Sequence, residues 1–278
     1  MQKNNKALII IVFLFSFTNS FTQTSRLTRT QINDSILKMP RFSGHKNTYF
    51  ITGIPTNTSI NKSNSDIKYQ ISFKQLLTRN TLIWDTYLFF TYSQKSFWNV
   101  YRESSPFAEI NFNPSIGLGK VFYNKKDEVV AIGSFGLEHE SNGRDSIFSR
   151  SWNNIHGVYN TKIGVNTALG IRAYIPFLHK ESNPELMNYI GFGELTITHK
   201  FLKDNVEFEL MVRKGAKWSS KGATRSRLYL RTAKKSNQYI MIEWFNGYSE
   251  SLINYRDHTS MLRIGYVIKS SPLKLLGF

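Results

Sequence analysis

The sequence predicts an all-β protein, a transmembrane antiparallel up-and-down β-barrel of about twelve strands. Three observations support this: alternating apolar and polar residues, connections that alternate in length, and an N-terminal export signal. A period of two is typical of strands that have one apolar and one polar face. After the N-terminus no run of about 18 apolar residues occurs, so no membrane-spanning helix is predicted there.

The N-terminal segment 1–22 predicts a secretory signal peptide. Lys3 and Lys6 precede an apolar run over 7–17, and the small residue Thr22 follows. Positive charge, a short apolar stretch and small residues near the cleavage site are the parts of such a signal. The apolar run is too short to anchor the chain across a membrane. We therefore expect the mature protein to leave the cytoplasm.

The rest of the chain divides into a polar N-terminal periplasmic arm over 23–46 and a barrel domain over 47–278. Segments such as 67–74, 165–175 and 206–213 show the alternation clearly. The predicted strands lie near 47–56, 66–76, 80–94, 107–121, 128–140, 151–162, 164–175, 187–200, 205–213, 223–233, 237–248 and 260–269. Helical periodicity of useful length is not expected anywhere.

The connections between these segments alternate between short ones, such as 123–126 and 202–204, and long ones, such as 95–106 and 177–186. This alternation is typical of outer-membrane barrels. The alternative is a secreted β-sandwich, in which two apolar sheet faces bury each other. Aromatic residues near strand ends favour the barrel, because they suit an interfacial girdle. These residues are Tyr87, Trp98, Trp152, Tyr159, Tyr174 and Trp244.

Composition narrows the function classes. The chain contains no cysteine, which excludes a disulfide framework and thiol catalysis. Its formal charge of +17 suits nucleic acid, an anionic membrane surface or solvated loops. No basic helix or aromatic RNA-binding motif is visible, so nucleic acid is not an expected partner.

The candidate site lies in 139–153, where His139 and Ser141 are followed by a turn of small polar residues and Asn153. A hydroxyl, an imidazole and an amide are the nucleophile, the base and the orienting group of a nucleophilic hydrolase. Residues two apart on a strand share a face, and a hairpin would return Asn153 beside them. Serine and histidine are common residues, so a polar hairpin rim is the alternative interpretation.

The fifth predicted strand indicates which way this site faces. Its apolar row consists of Val129, Ala131, Gly133, Phe135 and Leu137. His139 and Ser141 continue that row, and apolar rows of a membrane barrel face lipid. Odd strands run outward from a periplasmic N-terminus, which predicts the site at the outer-leaflet boundary. Polar residues facing lipid are costly unless they act there, and an ester bond of a lipid is within reach.

Other candidates are weaker. Glu138 and Glu140 share the opposite face and could form the carboxylate pair of a glycosidase. We favour their interpretation as lumen-lining acids near Arg172. The other histidines show no metal-ligand spacing and are expected to be structural or exposed; they are His45, His156, His179, His199 and His258. No zinc-protease, phosphate-loop or dinucleotide motif occurs.

The residues of the candidate site resemble the signature of the outer-membrane phospholipase A family. The matching motifs are His-Glu-Ser-Asn-Gly-Arg at 139–144 and Ser-Arg-Ser-Trp-Asn at 149–153. Further matches at 92–98, 103–107 and 245–253 follow in the family's order. The resemblance covers nearly the whole predicted mature chain.

The resemblance implies a bacterial outer-membrane barrel that hydrolyses phospholipid acyl esters, at sn-1 and sn-2, as a calcium-dependent homodimer. It implies that Ser141 is the nucleophile, His139 the general base and Asn153 the group that orients the imidazole. It also implies that the backbone amide of Gly143 forms the oxyanion hole. The alternative function is a non-catalytic outer-membrane barrel, such as a small porin or adhesin.

The resemblance places calcium near the Arg144 carbonyl and the Ser149 hydroxyl, with the backbone oxygen of the partner subunit's Ser104. Oxygen ligands suit this hard cation. Gln94 matches a polar residue that the family uses across the dimer interface, where amide pairing within the membrane is plausible.

Three residues depart from the family's pattern. Glu140 stands where glutamine is frequent, Ala108 where arginine is frequent, and Ser249 where the family usually has glycine. None belongs to the triad, so we expect activity to be retained.

Overall fold

The alternating segments pair into one antiparallel sheet that closes on itself in the computed structural model, which describes residues 27–178 and 181–270. After the short first segment, each strand pairs with the next along the chain, and the last strand (His258–Ile268) pairs with Thr48–Pro55. The strands are β1 (Phe42–Gly44), β2 (Thr48–Pro55), β3 (Asp66–Leu76), β4 (Thr86–Trp98), β5 (Phe107–Tyr123), β6 (Val129–Ser141), β7 (Ser151–Lys162), β8 (Thr167–Phe177), β9 (Gly193–Phe201), β10 (Val206–Lys214), β11 (Gly222–Arg231), β12 (Gln238–Tyr248) and β13 (His258–Ile268). The helices are α1 (Arg29–Lys38) and α2 (Met187–Ile190).

The barrel has twelve strand positions, as predicted, because β1 and β2 are two pieces of one strand. Both pair with β3: Phe42 lies opposite Gln75 and Tyr49 opposite Gln70. The connections 77–85, 124–128, 163–166, 202–205 and 232–237 lie at the end where the N-terminal helix sits, which we call the turn end, and 77–85 is the longest of them. The connections 56–65, 99–106, 142–150, 181–192, 215–221 and 249–257 lie at the opposite end, which we call the loop end.

Two predicted strands begin later than expected. The third barrel position, β4, starts at Thr86 rather than near residue 80, because Trp84 and Asp85 have left-handed backbone (φ 58° and 56°) and cannot extend a strand. The strand predicted from residue 187 starts at Gly193, because α2 occupies the preceding residues.

The two faces of the sheet differ as the alternation predicts. Large apolar side chains point outward, and Phe135 and Leu137 are 59% and 51% exposed. The lumen is filled by ion pairs, among them Lys68 with Glu243 at 2.7 Å and Arg227 with the same carboxylate at 2.7 Å. Within the described residues, no helix has the length and apolarity needed to cross a membrane.

The chain contains a helix of ten residues although no helical periodicity of useful length was expected. Helix α1 lies in the predicted N-terminal arm and begins with a capping box between Thr28 and Gln31. Ile32 and Ile36, one turn apart, are buried at the turn end in a cluster that also contains Val121, Val129 and Ile132. Tertiary packing of two isoleucines stabilises the helix, and so short a stripe leaves little periodicity in the sequence.

Some predicted lipid-facing positions are also corrected. Val129 is only 4% exposed, because it packs in the cluster with Ile32 and Ile36 of α1. Its backbone amide also donates to the Leu27 carbonyl at 2.9 Å. Trp152 and Tyr174 are buried inside the loop end, in an aromatic cluster with residues of α2 and the β12–β13 loop. Tyr159 and Trp244 are 42% and 46% exposed, in keeping with a girdle. The predicted signal peptide lies outside the described residues.

Candidate active site

The hairpin of β6 and β7 positions the candidate site. His139 lies directly opposite Asn153 in the register of the two strands. The imidazole Nδ1 is 2.8 Å from Asn153 Oδ1. An amide oxygen can only accept a hydrogen bond, so Nδ1 carries the proton and Nε2 is left as a proton acceptor. The sequence-predicted base and orienting group are therefore in contact.

Ser141 lies two residues after His139 on β6, so the two side chains share the outward face. Ser141 is half-buried, and its hydroxyl makes no hydrogen bond to any of the described residues. Catalytic hydrogen bonds are often long before substrate binds and shorten only in the complex. The hairpin thus collects a hydroxyl, an imidazole and an amide on one outward patch.

A row of cross-strand neighbours extends this patch along the outside of the barrel. Ser141 is opposite Phe112 on β5, which is opposite Gln94 on β4, which is opposite Ile71 on β3. Gln94 accepts a hydrogen bond from the Tyr92 hydroxyl at 3.1 Å. Gln94 is therefore two strands from the candidate nucleophile on the same face.

The loop 142–150 is held by Asn142, a residue whose role the sequence did not reveal. Its amide donates to the Phe148 carbonyl at 2.9 Å, and its Oδ1 accepts from the amides of Arg144 and Arg150. The next residue, Gly143, has a left-handed backbone (φ 64°), and a Cβ there would lie 2.8 Å from the Phe112 ring. The Asn-Gly pair is a turn signal in the sequence, but the anchoring contacts cross the loop.

A second anchor is an ion pair between the loop and β5. Arg144 Nε lies 3.6 Å from Glu109 Oε2, and its guanidinium donates to the Ala108 carbonyl at 2.5 Å. Glu109 also accepts from the Ile253 amide at 3.1 Å, so it joins two loops. The Arg144 guanidinium bonds to the backbone carbonyl of residue 108. The contact therefore does not depend on the side chain, which is alanine here where the family frequently has arginine.

The chemistry of the predicted calcium ligands fits a hard cation. The part of the chain that the structure describes has no group of three or more histidine, aspartate or glutamate side chains for a metal. The Arg144 carbonyl and the Ser149 hydroxyl accept no hydrogen bond from the described residues, and both lie on the loop that Asn142 holds. Ser104 lies on a different loop, exposed and with left-handed backbone (φ 60°).

The acidic residues of β6 have structural partners in the lumen. Glu138 forms an ion pair with Arg172, and Glu140 accepts from the Trp152 indole at 2.9 Å. These contacts agree with the interpretation of lumen-lining acids. Ser249 has the left-handed backbone (φ 57°) that glycine adopts easily, and its hydroxyl donates to the Tyr255 carbonyl at 3.0 Å.

The other histidines have no catalytic surroundings among the described residues. His199 pairs with the Thr167 hydroxyl at 2.8 Å, and His258 packs edge-on against Tyr248. His45 and His156 line a lumen cavity of about 220 Å³. His179 lies outside the described residues.

Comparisons with known proteins agree with the fold and the motifs. A family model described as phospholipase A1 matches residues 22–268. The phospholipase A1 of Salmonella typhimurium is 28% identical over 216 residues, which are 76% of this chain and 72% of that protein.

Two solved structures share the fold. The Salmonella typhi outer membrane phospholipase, a dimer with bound calcium, superposes with a TM-score of 0.74 at 22% identity, covering 88% of this chain and 99% of the other. The Escherichia coli outer membrane phospholipase A superposes with a TM-score of 0.72 at 22% identity, over 82% and 98% of the two chains.

Proposed function

The chain belongs to the phospholipase A1 family, and from this premise we propose that Ser141, His139 and Asn153 hydrolyse acyl esters of phospholipids. The protein is a phospholipase of the bacterial outer membrane. The observation that supports the proposed site best is the 2.8 Å contact between His139 Nδ1 and Asn153 Oδ1, two residues from an outward-facing serine. We propose that both sn-1 and sn-2 esters are substrates.

The proposed reaction uses an acyl-enzyme. Ser141 Oγ attacks the ester carbonyl while its proton passes to His139 Nε2, and Asn153 holds the imidazole through Nδ1. The Gly143 amide donates to the oxygen that becomes negative. When the ester bond breaks, His139 returns the proton to the departing glycerol oxygen. A water molecule then gives a proton to His139 as it attacks the acyl carbonyl, and His139 passes that proton to Ser141 Oγ when the acyl–oxygen bond breaks and the fatty acid leaves.

Calcium would be held by the Arg144 carbonyl and the Ser149 hydroxyl, whose oxygens accept no other hydrogen bond from the described residues. When bound, it would supply positive charge that stabilises the negative oxygen. The anchoring contacts of Asn142 and Glu109 keep these ligands and the Gly143 amide on one ordered loop.

We propose that the active form is a homodimer. Gln94 lies on the same outward row as Ser141, so a partner that contacts Gln94 would also border the site. The backbone oxygen of the partner subunit's Ser104 would complete the calcium ligands. Residues 1–22 would be removed on export. Of the arm predicted over 23–46, helix α1 would lie at the periplasmic end, whereas β1 already belongs to the barrel wall.

The non-catalytic alternative of a small porin is less compatible with the lumen. Lys68 and Arg227 both bind Glu243, and Arg263 binds Glu250 at 2.7 Å. These buried pairs link β3, β11, β12 and β13 to one another inside the lumen, whereas an open channel would leave such side chains facing water.

A phospholipase assay in detergent micelles, with and without calcium, tests the proposed function. The wild-type protein should release fatty acid and lysophospholipid in calcium and lose that activity in chelator. Ser141→Ala should reduce turnover at least about 1,000-fold, because a triad nucleophile is lost. Ser151→Ala is the matched control, since it removes a hydroxyl directly opposite Ser141 in the register.

Full activity in chelator would overturn the calcium assignment, and retained hydrolysis in Ser141→Ala would remove this serine from the mechanism. Migration of the folded barrel on unheated gels shows that each variant has its native structure.

A further inference from the structure

The loop between β6 and β7 carries two large apolar side chains that the proposed chemistry does not use. Ile147 is 78% exposed and Phe148 is 55% exposed, on the short helical turn Ser146–Phe148. Single exposed apolar residues are ordinary on protein surfaces, but an adjacent pair beside a candidate catalytic site suggests a contact surface.

The backbone below this pair is fixed. The Asn142 amide donates to the Phe148 carbonyl, and the Arg150 guanidinium donates to the Ile147 carbonyl at 2.9 Å. The Phe148 amide donates to the Asp145 carbonyl at 3.2 Å. Asn142 itself is only 4% exposed, so the turn is tied to the barrel. The two side chains are therefore held outward by the loop.

Their place along the barrel identifies the partner. The outward row of β6 runs from the exposed Phe135 and Leu137 through His139 to Ser141, and the loop follows at once. Acyl chains would lie against Leu137 and an ester would lie at Ser141. The loop residues beyond Ser141 then face the interfacial layer of the outer leaflet, where glycerol and headgroups meet the acyl chains.

We propose that Ile147 and Phe148 insert into this interfacial layer and hold the loop against the ester of a membrane phospholipid. The partner is a lipid surface, and the pair gives preference for packed lipid over dissolved ester. This inference rests on the proposed function for its catalytic consequence. The contact with lipid itself does not depend on hydrolysis and can be measured separately.

The opposite rim of the barrel offers a matched control. Ile83 and Trp84 are 66% and 75% exposed on the short helical turn Ile83–Asp85. This pair has the same chemistry and the same kind of turn, but it lies at the turn end, away from Ser141. If the pair only anchors the barrel in the membrane, substitutions on either rim should affect hydrolysis alike. If the pair presents substrate, only substitutions at the loop end should lower hydrolysis.

The first experiment compares two substrates. We expect Ile147→Ser with Phe148→Ser to lower hydrolysis of phosphatidylcholine in vesicles by about tenfold or more, because less apolar surface is buried in lipid. Hydrolysis of dibutanoyl phosphatidylcholine below its micelle concentration should change by less than about twofold, a difference too small to reflect a lost catalytic group. Ile83→Ser with Trp84→Ser should leave both rates unchanged. An equal loss on both substrates, or no loss on vesicles, would overturn the proposal.

The second experiment measures insertion without hydrolysis. Because the chain has no cysteine, Ile147→Cys gives a single thiol for an environment-sensitive dye. In a Ser141→Ala background in phosphatidylcholine vesicles, we expect quenching by lipids that carry bromine on the upper acyl chain, and little quenching by iodide in water. Strong iodide quenching without lipid quenching would refute insertion. If wild-type protein hydrolyses no phospholipid while the dye inserts, the proposed function fails and the lipid contact stands.

Discussion

The hairpin of β6 and β7 carries two similar cross-strand pairs on opposite faces. Outward, His139 faces Asn153; inward, one residue earlier on β6, Glu138 faces Asn154. The Asn154 amide donates to Glu138 at 3.2 Å, and Arg172 neutralises the same carboxylate. The outward imidazole contacts Asn153 through Nδ1, which leaves Nε2 as an acceptor on the face of β6 that His139 shares with Ser141.

The difference between the pairs shows what makes one of them a candidate for catalysis. Glu138 is 8% exposed and Asn154 is 0% exposed, and inside the lumen the Glu138 carboxylate is paired with both the Asn154 amide and Arg172, while Asn154 Oδ1 has no hydrogen-bond partner among the described residues. Buried groups of this kind stabilise a fold when every partner is present. The outward pair leaves one proton-accepting atom at the surface, where a lipid ester can approach.

Replacing each of the two asparagines by alanine tests this comparison. It is expected to give the largest difference in turnover. Asn153→Ala should lower turnover by about 100-fold, because His139 loses the group that fixes its tautomer. Asn154→Ala should leave turnover near wild type and lower the free energy of unfolding by about 1–3 kcal/mol, since a buried carboxylate loses a donor. Steady-state hydrolysis and urea unfolding in lipid measure the two effects. Equal losses of turnover in both variants would contradict the assignment of roles.

A methyl group at Gly143 should have an intermediate effect. Gly143→Ala places a Cβ 2.8 Å from the Phe112 ring at a left-handed φ, which displaces the amide proposed to bind the oxyanion. We expect turnover to fall by about tenfold or more while the KM for micellar lipid changes little. Gly164→Ala is a suitable control, because that glycine is also left-handed (φ 77°) and has open space around it. A turnover equal to that of the control would separate Gly143 from the site.

The smallest effect on activity is expected inside the lumen. Glu138→Gln keeps the shape of the side chain but leaves Arg172 with only its longer contact to the Glu194 carboxylate, at 4.0 Å. We expect a loss of about 3–5 kcal/mol in the free energy of unfolding, with turnover within about twofold of wild type. Denaturant unfolding in lipid and the micelle assay give the two values. A large loss of turnover at unchanged stability would show that the inward pair takes part in the reaction.

The positions of the three triad residues could be predicted from the sequence, because they depend on the alternation of side chains along a strand. Alternation set His139 and Ser141 on one face, and the hairpin returned Asn153 beside them. The contacts that shape the loop were not predictable in this way. Asn142 bonds atoms across the loop, and Arg144 reaches Glu109 on the neighbouring strand, so both depend on how the turn folds back.

Burial at the two ends of the barrel was harder to predict for a related reason. Trp152 directly precedes the outward-facing Asn153, so the period of two already turns its side chain inward, where it packs in a cluster with Leu186 and Leu252 from distant loops. Val129 has the period of a lipid-facing residue, but α1 packs over it. A period of two distinguishes the two faces of a strand, and it does not show which loop or helix covers an end.

A lipophilic sulfonyl fluoride tests most directly whether Ser141 is an activated nucleophile that faces lipid. The reagent should modify the folded protein in membranes, and mass spectrometry should locate the adduct on Ser141. Reaction should be slowed strongly in His139→Ala, which lacks the base, and should be faster than with a water-soluble sulfonyl fluoride. Modification at another residue, or no adduct in an active preparation, would contradict the assignment of Ser141 as the nucleophile.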